Sequence, residues 1–284
     1  MKIFETIHEM QSWSLSEKHD GRRIAFVPTM GNLHDGHLAL VEAVKSQSDS
    51  VVVSIFVNPT QFGPNEDLDK YPRTFEQDRQ KLESRGVDVL LFPGVEEIYP
   101  FGKDQATRVS VPELGDILCG RQRPGHFDGV TMVVAKLFNI VQPDVAIFGE
   151  KDFQQLFLIR RMVEDLFMPI QVLSLPTIRE PDGLAMSSRN GYLGLEERQI
   201  APRLYEVLCR VREQLESRAM DAKDVCRAAK KELDTAGFET EYLEVRTVDD
   251  LQLVENKVET DAVVFVAARL GATRLIDNLP ITLK

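Results

Sequence analysis

The sequence predicts an α/β fold in which a doubly wound parallel sheet is followed by a smaller C-terminal α+β domain. Three observations lead there. Short, continuously apolar runs recur at residues 24–27, 51–57, 87–92, 145–148 and 170–175, as expected of strands covered on both faces. Stretches of helical period lie between them, at 38–46, 74–85, 131–141 and 153–167, so strand and helix alternate as parallel crossovers require. Beyond residue 188 the texture changes to charged helical stretches at 196–218 and 221–235, with strand-like runs at 242–246 and 262–268. Pro176, Pro181 and Gly183 punctuate the chain between the two textures. They place a Rossmann-like domain at 1–180 and a smaller domain at 181–284.

The bulk composition narrows the function. With 284 residues, 43% of them apolar, the chain can bury substantial cores. A formal net charge of -11 argues against nucleic acid as a partner and for small-molecule chemistry, with room for a local basic pocket. Cys119, Cys209 and Cys226 are odd in number and scattered, which reads as reduced thiols in a reducing compartment rather than a disulfide or a zinc site. The N-terminal residues are partly acidic, and no run approaches the roughly 20 apolar residues that span a bilayer. The expectation is a cytoplasmic protein with no membrane partner.

In a doubly wound sheet, ligands collect at the carboxyl ends of the strands. The loop after the first apolar run, Pro28-Thr29-Met30-Gly31-Asn32-Leu33-His34-Asp35-Gly36-His37-Leu38, leads from a strand into a helix. Glycines there let the backbone approach an anion, and the free N–H groups of the helix start supply donors. Gly31 and Gly36 have Walker A spacing, but His37-Leu38 stands where Lys-Ser/Thr is required, which disfavours a P-loop enzyme. His34 and His37 can donate to phosphate oxygens as pyrophosphate leaves; helix capping is the structural alternative, and an HxxH pair without a third ligand is a poor metal site.

Further loops follow the other strands. Asn58, Pro59 and Gly63 build a turn around Gln61, whose amide can both donate and accept. The polar segment 62–71 reads as a mobile loop able to cover a water-sensitive intermediate, and Asp78 beyond it as a surface helix carboxylate rather than a magnesium ligand. Arg121 to Val130 concentrates cations, glycines and His126 before an apolar helix, a supporting position near the site. Gly149-Glu150-Lys151-Asp152-Phe153-Gln154-Gln155 follows a buried run. A lysine at a helix start hints at an anionic ligand, since the helix dipole disfavours a lone cation there, and Asp152 suits a helix cap. Met186-Ser187-Ser188-Arg189 joins two hydroxyls to one guanidinium, a set able to clamp phosphates.

The His-x-Gly-His pattern resembles the nucleotidyltransferase superfamily. The longer strings PTMGNLHDGHL, NPTQFG, RPGHFDGV, FGEKDFQQ and MSSR together resemble the pantothenate synthetase family. MSSR is similar to the KMSKS loop of class I tRNA synthetases but lacks both lysines, which weakens a tRNA reading. The resemblance implies an ATP-dependent ligase that activates pantoate as an adenylate and joins it to β-alanine, with ATP as a magnesium-bound substrate, no organic cofactor, and a homodimer. It implies ATP contacts at Met30, Gly31, Asn32, Leu33, His34, Asp35, Gly36, His37, Gly149, Glu150, Lys151, Asp152, Met186, Ser187, Ser188 and Arg189, with the backbone near Ile178 at the adenine. Gln61 and Gln155 would bind pantoate. His34, His37, Lys151 and Arg189 would carry the catalysis, and the C-terminal domain would close over the nucleotide. On the His-x-Gly-His pattern alone, an adenylyltransferase acting on another small substrate is the alternative.

Overall fold

The computed structural model describes residues 1–64 and 66–283; Asn65, within the predicted polar loop, and Lys284 lie outside the described residues. The chain divides into two compact units, Met1–Pro176 and Thr177–Lys284.

The first unit runs β1 (Lys2–Phe4), α1 (Ile7–His19), β2 (Ile24–Thr29), α2 (Asp35–Lys45), β3 (Ser50–Ile55), α3 (Phe75–Ser84), β4 (Val89–Leu91), α4 (Val95–Ile98), α5 (Cys119–Gln122), α6 (His126–Val141), β5 (Val145–Gly149), α7 (Phe153–Asp165) and β6 (Gln171–Leu175). Among the described residues its strands form one parallel sheet in the order β1-β4-β3-β2-β5-β6. The predicted runs are its interior: β2, β3, β4 and β5 are almost entirely buried, which is why their sequences show no alternation. The run at 170–175 becomes β6, an edge strand only partly covered. Helix α6 begins at His126, five residues ahead of the predicted 131, and Phe127 and Val130 in its first turns are already buried on its apolar side.

The sheet opens where its order reverses. β2 pairs with β3 at six positions, from Ile24↔Ser50 to Thr29↔Ile55, but with β5 only at Ala25↔Val145 and Phe26↔Ala146. The ladder ends before the carboxyl ends of β2 and β5, and a topological switch point is where such a sheet is expected to form its ligand crevice.

In the second unit α8 (Leu195–Ile200), α9 (Arg203–Glu216) and α10 (Ala222–Thr235) accompany an antiparallel sheet, β7 (Glu239–Thr247), β8 (Ala262–Leu270) and β9 (Thr273–Ile281). Leu204, Leu208, Val211, Val225 and Leu233 pack with Val264, Val266 and Leu275 in its core. The helical stretch expected at 196–218 is two helices, not one. Pro202 divides it, having no N–H to continue the ladder.

Candidate active site

The loop between β2 and α2 is a tightly held structure. Gly31 adopts φ +82°, and a Cβ there would stand 3.0 Å from Ile55 Cγ2 and 3.3 Å from Asp78 Oδ2, so only glycine fits. Asp78 overturns its reading as a surface carboxylate: it is 1% exposed. Its two oxygens accept the N–H groups of Asn32 and Leu33, each at 2.8 Å, and Oδ2 also accepts the Thr74 hydroxyl at 3.1 Å. One turn along α3, Lys81 Nζ donates to the Leu33 carbonyl at 2.6 Å. Helix α3 thus grips the loop from its donor and its acceptor side.

His34 is the N-cap of α2, and its side chain accepts Gly36 N–H through Nδ1 at 3.2 Å, while His37 Nδ1 accepts His34 N–H at 3.3 Å. Capping and chemistry are therefore not alternatives here. A neutral imidazole whose Nδ1 accepts must carry its proton on Nε2, so each ring keeps an Nε2–H donor beyond the cap. The rings lie 4.1 Å apart between centroids. Burial, then the charges of Lys151 and Lys81, lowers His34 to about 4; burial, the His34 neighbour, Lys151 and Lys81 lower His37 to about 3. Both are neutral donors at pH 7, with two ammonium groups acting on them from α3 and from the turn after β5.

Lys151 sits in the 3-10 turn Glu150–Asp152 that links β5 to α7, and its charge is felt at both histidines. The structure therefore brings Lys151 close enough to the histidine pair, at the carboxyl ends of β2 and β5, for its charge to act on both rings. Glu150 accepts the Ser174 hydroxyl at 2.8 Å. Asp152 occupies the N-cap position of α7 without a side-chain cap bond. The tandem glutamines separate cleanly: Gln154 is buried and bonds to Leu114 O, Ile117 O and Cys119 N, leaving half-buried Gln155 as the one able to meet a ligand.

Gln61 ends the 3-10 turn Pro59–Gln61 after β3. Asn58, read from sequence only as a turn former, is 1% exposed and orients it. Asn58 Oδ1 accepts Thr60 N–H and the hydroxyls of Thr60 and Tyr99, at 3.3, 2.9 and 2.8 Å. Its Nδ2 therefore donates, to Gln61 Oε1 at 3.1 Å and Gly129 O at 3.0 Å. With Oε1 engaged and one Nε2 hydrogen facing Met30 Sδ at 3.2 Å, Gln61 retains an N–H for an oxygen-bearing ligand. Against the same turn, Gly129 of α6 leaves no room for a Cβ, which would fall 2.4 Å from Thr60 O.

In the second unit, Met186, Ser187, Ser188 and Arg189 follow a small hairpin in which Arg179 bridges to Ala185 and Met186 N–H donates to Ile178 O at 2.9 Å. Ser187 caps the 3-10 turn Ser188–Tyr192 by accepting Arg189 N–H at 3.3 Å. The hairpin is anchored by Arg179, whose guanidinium forks onto Asp277 at 2.6 and 3.0 Å and lies 3.7 Å over the Tyr205 ring.

His126 is also held neutral, at about 4, by burial and by the adjacent Arg123. The folded values of His34, His37 and His126 all lie below the 6.5 of a free imidazole. The unfolded chain consequently binds more protons between pH 6.5 and about 4, and stability falls as pH is lowered through that window. At pH 5 each of these histidines is expected to take up about one proton on unfolding, so His126→Asn should reduce calorimetric proton uptake by about one. Unchanged uptake would show that the buried ring is already charged.

Among the described residues, no group of three or more His, Cys, Asp or Glu gathers to hold a metal ion, no helix is long and apolar enough to cross a membrane, and Cys119, Cys209 and Cys226 are unbridged. Comparison with known proteins then settles the family. The family profile described as pantoate-β-alanine ligase matches residues 2–280. The pantothenate synthetase of Pseudomonas fluorescens (strain Pf0-1) is 51% identical over 283 residues, covering 100% of this chain and 99% of that one. The solved pantothenate synthetase of Thermus thermophilus superposes with a TM-score of 0.92 at 46% identity, over 99% of this chain and 100% of its own. The Francisella tularensis pantoate-β-alanine ligase, solved in complex with β,γ-ATP and β-alanine, gives 0.83 at 38% identity over 98% and 97%. With a profile and relatives that match along essentially its whole length, the chain belongs to the pantoate-β-alanine ligase family.

Proposed function

We propose that this enzyme condenses pantoate with β-alanine in two steps at the crevice between β2 and β5. Pantoate's carboxylate attacks the α-phosphorus of ATP and pyrophosphate leaves; β-alanine's amine then attacks the acyl carbon of pantoyl adenylate, and AMP leaves. The observation that carries this reading is the meeting of Lys151 and Lys81 with two neutral, backbone-pinned histidines at the sheet's switch point. In a chain of net charge -11, that local cationic set with fixed Nε2–H donors suits a polyphosphate.

The roles are proposed from the family likeness, and the geometry supports them. The backbone and side chains from Met30 to His37 and from Gly149 to Asp152 receive the phosphates, and Lys151 acts as a point charge. Gln61 and Gln155 bind pantoate. Ile178 and the segment Met186 to Arg189 are assigned to the nucleotide on the family likeness. Magnesium is taken to arrive with ATP: its oxygen preference is met by phosphates and water, and Asp78 is already committed to backbone N–H groups. Little covalent catalysis is required, so positioning and charge neutralisation account for the acceleration. The family likeness supports a homodimer; the unbridged cysteines agree with a cytoplasmic setting.

Exchange of labelled pyrophosphate into ATP, with magnesium and pantoate, tests the first step, and AMP release on adding β-alanine tests the second. An adenylyltransferase that stops at a nucleotidyl product would release no AMP with the amine present. Absence of pantoate-dependent exchange by folded protein would overturn the adenylate route.

A further inference from the structure

The loop that carries Gln61 is held by a polar network drawn from the polar loop, from the segment before α6 and from the first residue of that helix. Arg123 Nε and Nη2 fork onto both carboxylate oxygens of Glu66, at 2.7 and 2.5 Å. Nη2 also reaches the Gln61 carbonyl at 3.3 Å, and Nη1 lies 2.9 Å from His126 Nε2. A guanidinium has no lone pair to offer, so His126 Nε2 is the acceptor. The ring proton is thereby fixed on Nδ1, which donates to the Gln61 carbonyl at 2.8 Å. One main-chain oxygen thus receives two donors, one from Arg123 before α6 and one from His126 at its start, and the ion pair behind them is largely shielded, with side chains 15% and 26% exposed.

We infer that Glu66, Arg123 and His126 form a positioning unit that sets the Gln61 backbone, and through it the affinity for the small hydroxy acid substrate. The side chain of Gln61 is oriented by Asn58 and Met30; its main chain is oriented by this unit. Two facts make the unit more than a surface ion pair. The fork is bidentate and charge-assisted, the geometry in which Arg–carboxylate pairs hold direction as well as charge. The first turn of α6 also abuts the Pro59–Gln61 turn so closely at Gly129 that no Cβ fits, so small shifts at residues 123–126 pass to Gln61 without slack.

This inference rests on Gln61 binding pantoate, and the test separates the two. Pyrophosphate exchange is measured against pantoate and against ATP for Gln61→Ala, Glu66→Gln, His126→Ala and His126→Asn. Glu66→Gln and His126→Ala are expected to raise the pantoate KM about tenfold, the scale of one charge-assisted hydrogen bond, with the ATP KM within about twofold of the parent value. His126→Asn, whose amide N–H can replace the Nδ1 donor, should recover most of the loss. The inference is overturned if Gln61→Ala raises the pantoate KM and the other variants do not, if pantoate and ATP KM move together, or if His126→Asn is as impaired as His126→Ala. An unchanged pantoate KM in Gln61→Ala would sink the role of Gln61 and this inference with it. Should His126→Ala fail to fold, Glu66→Gln, which changes one part-exposed loop side chain, still decides the matter.

Discussion

His37→Ala is expected to slow pantoyl adenylate formation by roughly 10²- to 10³-fold, the range seen when one pre-positioned donor to developing charge is removed. The parent ring is neutral, pushed down to about 3, and its Nδ1 is occupied by His34 N–H, so the Nε2–H lost in the variant is a donor with no rotational freedom to recover. The same change removes half of the reciprocal cap at the start of α2, which should cost about 1 kcal/mol of stability. That is too little to unfold an enzyme with ordinary reserves, so the rate loss can be read on folded protein. Aminolysis of preformed pantoyl adenylate by β-alanine should fall far less, because no pyrophosphate departs in that step. Single-turnover measurement of the two half-reactions checks the assignment, and an equal loss in both would exclude it.

Strands β2 to β5 were legible because they are buried on both faces, and a short, continuously apolar run bounded by turn residues suits a covered strand better than an amphipathic helix; β1, three residues long and largely exposed, was not. Helix α1 was not, because the residues it turns inward are Met10, Ser14 and Glu17; Glu17 is buried by bonding to Ser50 at 2.6 Å, leaving no apolar period to see. Strand β9 escaped for a related reason. Asp277, Asn278 and Pro280 interrupt it, and Asp277 is buried only because Arg179, 98 residues earlier, neutralises it. Local sequence carries no trace of a partner so distant. The site divides the same way. The histidines and Lys151 announce themselves by residue type in loops that follow strands, and the glutamines only through the family resemblance, whereas Asp78 looks like any carboxylate on a charged helix, and only the fold shows it turned inward. Lys81 and Asn58 share that invisibility, and Gln155 was told from Gln154 by the family resemblance alone, since residue type and spacing treat the two alike.

Asp78→Ala should combine a stability loss with a loss of turnover as large as that of any substitution outside the reacting groups. The carboxylate satisfies Asn32 N–H, Leu33 N–H and the Thr74 hydroxyl in a place 1% exposed. Removing it strands two backbone donors at about 1–3 kcal/mol each, so unfolding free energy should drop by roughly 2–5 kcal/mol. The kinetic loss follows from what those donors hold. Asn32 has φ +49°, a conformation that costs a non-glycine residue energy, and Asp78 helps hold it there; without the anchor the loop relaxes and carries His34 and His37 off position, where an error near 1 Å costs about 10²-fold in rate. Asp78→Asn sharpens the test. One amide oxygen can still accept a backbone N–H while the NH2 group confronts the other, so its denaturation midpoint should lie between parent and alanine variant, with adenylation still impaired. Denaturation and pyrophosphate exchange measured on all three proteins decide it: an alanine variant as stable as the parent, or one that exchanges pyrophosphate at the parent rate, would mean that α3 does not hold the histidine loop in place.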